Sequence, residues 1–197
     1  MSAFSRDLVV ALALAGGTMA GGCESRPPFD RRVVVEWLTC IDCPPDQLNA
    51  VLSAAISAPE SVVAMLGADL SNGLDAATAA HLDSASRSAF GRLQGMSAVP
   101  TPVRWRPSDQ RAFLARQRLL ATRTWRKRAA LALARIATAG ARQAIDDACP
   151  ALTDTLEIVA VAIAMWPVGA RRSPCYRKAD STGVDWQALA RAGNVIP

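Results

Sequence analysis

The sequence predicts an all-α fold, a short solenoid of stacked helical hairpins with an irregular C-terminal tail. Three observations carry this. Apolar residues recur at three- and four-residue spacing, the period of an amphipathic helix. Of the 197 residues, 51% are hydrophobic but only 5% aromatic, and a chain so rich in alanine favours thin, closely packed helices over strands. Finally, RAALALARI (Arg128–Ile136) and IVAVAIAMW (Ile158–Trp166) echo one another at a shift of 30 residues, alanine matching alanine at 130 and 160 and at 134 and 164. A period of that length suits helical pairs that bury their apolar faces only by stacking.

The first segment is expected to stand outside the fold. MSAFSRDLVVALALAGGTMAGGCES has a short polar start, an apolar run from Leu8 to Ala15 and small residues leading to Cys23, the layout of an export signal. The run is too short for a permanent membrane span, which needs about 20 apolar residues. Ala20-Gly21-Gly22-Cys23 resembles the lipobox of bacterial lipoproteins, where a peptidase cuts ahead of a cysteine that already carries diacylglycerol. Ala20 stands where that motif usually has leucine, and Asp7 offsets Arg6 in a region that is normally positive. The resemblance implies a signal peptide over residues 1–22, lipidation of Cys23 and a location on the membrane of the cell envelope, facing outside the cytoplasm. Residues 23–35, which include ESRPPFDRR, read as a tether, and residues 36–197 as the helical domain.

Within that domain, Leu48, Val51, Leu52 and Ala55 share one helix face, and Pro44 and Pro45 suit its start, where a missing amide proton costs little. Ser57-Ala58-Pro59 predicts a turn into a second short helix carrying Val62, Val63, Leu66 and Leu70, ended by Ser71-Asn72-Gly73. These two helices form a hairpin. A third helix is expected over about 75–90, followed by a loop over 91–107 marked by its glycines and prolines. Ser108 is the expected N-cap of a long helical stretch with the stripe Phe113, Leu114, Leu120, Ala121, Trp125, Ala129, Leu133 and Ile136. A break is expected near Thr122–Thr124, where the stripe drifts, and Gly140 is expected to close the helix. ARQAIDDAC reads as a short partner ending at Pro150, and a further helix over about 153–166 is stopped by Pro167. The tail is irregular, with a last helical turn over 186–192; VVVEW is the only run with strand character.

WRKRAALALARIATAGARQAIDDA is similar to a HEAT-type repeat of the short kind, with arginines entering the first helix, a small-residue turn and a short second helix. EWLTCIDCPPDQLNAVLSAAISAPESVVAMLGADL is similar to the N-terminal segment of HEAT-repeat lipoproteins, in which a cysteine pair precedes a helical hairpin. The resemblance covers residues 36–70 and about 125–166. It implies a protein-binding scaffold of the cell envelope, with another envelope protein as partner. An irregular helical bundle is the rival architecture.

The chemistry-bearing residues are few. The only histidine, His81, reads as a solvated surface residue, because no second histidine completes a zinc site. Gly-rich phosphate loops, GxSxG and HExxH are all lacking, and Asp146 and Asp147 are neighbours that point different ways on a helix. No catalytic residue, metal or cofactor is assigned, and the chain is not expected to be an enzyme. The net charge of +5 gathers in a cluster that includes Arg104, Arg106, Arg123, Arg126, Lys127 and Arg128, interleaved with Trp105 and Trp125. An export signal argues against nucleic acid as its partner. The cations are either solvated helix backs or contacts for anionic lipid headgroups near the anchor.

Lipidation of Cys23 would leave Cys40, Cys43, Cys149 and Cys175, an even number in an oxidising compartment. Pro44 follows Cys43 where a c-type haem would need histidine. Structural bridges are expected, Cys40 with Cys43 and Cys149 with Cys175. The alternative is a thiol-disulfide oxidoreductase using Cys40 and Cys43, since Cys43 lies near a helix start whose dipole stabilises a thiolate.

Overall fold

The computed structural model describes residues 29–39, 44–95, 109–168 and 173–193. The described residues form α-helices and short 3₁₀ turns, with no strand among them. The helices are α1 (Arg31–Thr39), α2 (Pro45–Ser57), α3 (Pro59–Asn72), α4 (Ala76–Gly95), α5 (Gln110–Ile136), α6 (Ala139–Ala148), α7 (Thr155–Met165), α8 (Pro174–Asp180) and α9 (Trp186–Arg191). None is long and apolar enough to cross a membrane.

VVVEW is helical, not extended, and α1 takes up residues 31–35, expected as tether. Three consecutive valines weaken helix propensity, but Val34, Trp37 and Leu38 fall at the i, i+3, i+4 positions and all three are buried. Fully burying such side chains contributes about 2 kcal/mol each, which outweighs propensity differences of a few tenths. The α2–α3 hairpin has the expected turn. Ala58 alone joins the helices, its amide donating to the Ala54 carbonyl at 2.8 Å, and Pro59 sits at the first helical position of α3. Val51, Ala55, Val62, Leu66 and Leu70 are buried, as their spacing predicts. Gly73 ends α3 with φ of 75°, and a Cβ there would meet Thr122 Cγ2 at 2.9 Å.

The 27-residue α5 organises the rest, packing against α1, α2, α3, α4, α6 and α7. It runs unbroken through Thr122–Thr124, where a break was expected. Its N-cap is Asp109, whose carboxylate accepts the Arg111 amide at 2.8 Å; Ser108 lies outside the described residues. Ala137, not Gly140, closes α5 in the left-handed conformation (φ 56°), and Gly140 belongs to the first turn of α6. Thr138 caps α6, accepting the Ala141 amide. Asp154 caps α7 through the amides of Leu156 and Glu157.

Two ion pairs join α5 to α7: Arg123 with Asp154 at 2.5 Å and Arg126 with Glu157 at 2.6 Å. Both partners advance together along their helices, so α5 and α7 run parallel. Behind them, α6 packs on α5, α8 on α7, and α6 on α8. Gly67 lets α3 approach α6 closely, since a Cβ there would lie 3.1 Å from that of Ala144. The tail is more regular than predicted, because α8 and α9 both pack on α7.

Candidate functional site

Of the sequence-predicted site residues, Cys149 and Cys175 are brought together. They are disulfide-bonded with Cα atoms 5.5 Å apart, and each is 1% exposed. The bond fastens the end of α6 to the start of α8. Ser173 caps α8 through the Cys175 amide and donates to Asp146 Oδ1 at 2.5 Å, while Lys178 Nζ donates to the Cys149 and Pro150 carbonyls at 2.9 and 3.1 Å. Asp147 accepts from Gln143 Nε2 at 2.7 Å. The Asp146–Asp147 pair therefore anchors local structure. Cys23, Cys40 and Cys43 lie outside the described residues, as do Arg104 and Arg106.

Arg123, Arg126 and Arg128 of the basic cluster are not freely solvated helix backs. Arg123 and Arg126 are tied to α7, and Arg126 also donates to the Ser71 carbonyl at 3.0 Å. Arg128 donates to the Trp37 and Leu38 carbonyls at 3.2 Å, closing the end of α1, and its guanidinium lies 5.8 Å from the Trp37 ring centroid. The Trp37 indole N–H returns a bond to the Arg128 carbonyl. Arg118 grips both oxygens of Asp83, its Nε at 2.6 Å, and so fastens α4 to α5. The carboxylates that absorb Arg123 and Arg126 lie 31 residues further along the chain, which is why local charge counting misses them.

The pKa shifts follow these contacts. Burial works against ionisation of Asp154, but Arg123 and the two capping amides outweigh it and hold the carboxyl below its usual range. The Arg118 hydrogen bond does the same for Asp83. Asp69, only 6% exposed, is pushed up by burial against the opposing pull of Trp125 and Arg31. One of its oxygens and the Trp125 indole N–H are buried without meeting hydrogen-bond geometry. His81 is exposed on α4, and no cluster of metal-ligating side chains occurs among the described residues.

A pocket of about 210 Å³ lies between α5, α7 and α9, lined by Lys127, Leu131, Ile163, Ala164, Trp166 and Ala190 among others. Its aromatic wall is held by a row of rings. Trp166 meets Trp186 edge-on at 5.7 Å, and Trp186 stacks on Tyr176 at 4.9 Å while its indole N–H donates to Asp180 Oδ1 at 2.8 Å. Burial, followed by the nearby Arg128 charge, lowers the pKa of the Lys127 amine. Its walls come chiefly from α5 and α7. Leu131 and Ile163 are ordinary members of apolar helical runs in the sequence, and only the parallel packing of α5 on α7 makes them one wall.

No family model, curated protein or solved structure matches the chain. Outside the pocket, α5 and α7 carry exposed large apolar side chains: Leu119 and Leu120 at 43% each and Leu156 at 41%. Leu119 and Leu120 lie about one helical turn before Arg123 on α5, and Leu156 lies in the first turn of α7.

Proposed function

We propose that the chain is a lipid-anchored protein of the cell envelope whose helical pairs α5–α6 and α7–α8 stack as short HEAT-like repeats and bind another envelope protein. The observation that carries the repeat reading is the register of α5 with α7. The helices whose sequences echo one another at 30 residues pack in parallel through two ion pairs, each 31 residues apart, and the helices that follow them also touch. Equivalent helices of neighbouring repeats behave this way in a stack that buries one continuous core. The contacts of α1 and α4 with α5 belong to a bundle around that stack. Leu119, Leu120 and Leu156 offer exposed apolar area on α5 and α7, the kind of surface that an interface core covers.

The anchor rests on Ala20-Gly21-Gly22-Cys23. Intact-mass analysis of protein extracted from membranes is expected to show an N-terminus at Cys23 bearing acyl groups, and Cys23→Ser is expected to leave the precursor unprocessed by the lipoprotein route. A mature terminus elsewhere, without lipid, refutes the anchor.

A further inference from the structure

The surface opening between α5, α7 and α9 is one end of a longer strip. On α7, Leu156, Ala160 and Ile163 stand at i, i+4 and i+7 and share one face, and the last two line the opening. On α5, Leu120, Thr124, Lys127 and Leu131 continue the same spacing, and the last two line the opening as well. The helices run parallel and their strips meet there, so both strips face the same side, with the exposed Leu120 and Leu156 leading away from the opening. The other end is Trp166, partly exposed and held edge-on by Trp186. Ten residues of helix separate Leu156 from Trp166, about 15 Å or nearly three turns. A groove between two parallel helices suits an amphipathic helix that lays side chains at i, i+4 and i+7 into it, whereas an added strand needs a sheet edge, and no strand occurs among the described residues.

Charge selects the sign of that helix. Helix α5 carries eight basic residues and no acidic one, and α7 carries only Glu157, which Arg126 neutralises. Lys127 is already engaged and adds only its apolar stem. The sign of the rim comes instead from Arg135, exposed one turn beyond Leu131, and from Arg191, exposed beside Ala190 of the lining with its Nε on the Gln187 carbonyl. No carboxylate lines the opening among the described residues. Building on the interaction reading, we propose that this strip binds an acidic amphipathic helix of the partner protein, its apolar side chains resting between α5 and α7 as far as Trp166 and its carboxylates turned towards Arg135 and Arg191.

The test titrates the full chain with three labelled peptides of about 18 residues, long enough to form a helix, followed by fluorescence anisotropy. The first has leucines at i, i+4, i+7 and i+11 among alanines and glutamates, the second has lysine for every glutamate, and the third has the first one's composition with its leucines spread over all faces. Saturable binding of the first is expected, at least about fivefold tighter than the second, the factor expected of two exposed ionic contacts, with no saturable binding of the third. Leu156→Glu, at an exposed position, is expected to weaken the first peptide about tenfold, and Arg135→Glu to halve, at least, its preference over the second. Phosphatidylglycerol vesicles added as competitor are expected to leave the first peptide bound. Absence of saturable binding of the first peptide, equal binding of the second or third, affinity unchanged in Leu156→Glu, a preference unchanged in Arg135→Glu, or displacement by the vesicles overturns the assignment. A discrete protein adduct from a photoreactive residue at position 156 in membranes, with the acidic peptide unbound, sinks the acidic helix alone; a bound acidic peptide with no such adduct sinks the envelope partner alone.

Discussion

Arg126→Met is expected to be among the most damaging single changes outside the apolar core. Glu157 is 3% exposed and its carboxylate meets Arg126 at 2.6 Å. Arg126 also serves the Ser71 carbonyl. Removing the guanidinium strands a buried carboxylate, which costs about 3–5 kcal/mol, or roughly 6–20 °C in Tm for a domain of this size. Glu157→Gln should cost less, about 1–3 kcal/mol, because Arg126 keeps Ser71 and a partly exposed path to water. The double variant Arg126→Met/Glu157→Leu removes both charges and should fall within about 1 kcal/mol of the unaltered chain, since a well-packed apolar pair replaces a buried ion pair at little cost. Urea unfolding followed by circular dichroism, with the slope checked for constancy, measures the cycle. An Arg126→Met cost below about 1 kcal/mol, the size of a solvated surface pair, or simple additivity in the double variant would refute the buried coupling of α5 to α7.

Three further outcomes are expected. Cys149→Ser/Cys175→Ser opens a 26-residue separation and should destabilise by about 3.5 kcal/mol on chain-entropy grounds; thiol alkylation of the native chain should leave both cysteines unmodified, and rapid labelling would contradict the buried staple. Asp69→Asn should stabilise the protein at neutral pH: the raised folded pKa of Asp69 gives a contribution that is full below its unfolded value of about 3.9 and is lost as the pH rises through the folded value. Equal pH–stability curves for Asp69→Asn and the unaltered chain would contradict this. Asp83 has the opposite sign, so the docking of α4 should hold above about pH 3.9 and weaken as the pH falls through the lower folded value; hydrogen-exchange protection in α4, taken relative to the intrinsic amide rate at each pH, that does not fall on acidification, or that is the same in Arg118→Met as in the unaltered chain, would rule out the Arg118 tie.

The hairpin of α2 and α3 was legible because its signals are local: Pro59 at a helix start and apolar residues at helical spacing. The end of the α7 run before Pro167 was legible for the same reason. Helix α1 was misread because VVVEW scores as a strand on composition, while the deciding contacts come from α2 and α5. The closing position of α5 was missed because glycine is the usual left-handed residue, yet Ala137 takes that role here. The arginines looked solvated because Asp154 and Glu157 come near only once α7 lies along α5. The pocket was illegible for a related reason, since Lys127, Ile163, Trp166 and Ala190 belong to segments that meet only in the folded chain.

The central claim is that the face around Leu120 and Leu156 receives another envelope protein, and site-specific photo-crosslinking in intact membranes tests it most directly. A photoreactive residue at position 120, and separately at 156, should give one and the same discrete adduct, whereas the same residue at position 81 on α4 should give none, and Leu119→Glu should remove the adduct from both. Equal crosslinking from all three positions, different products from 120 and 156, or no adduct from either would contradict it.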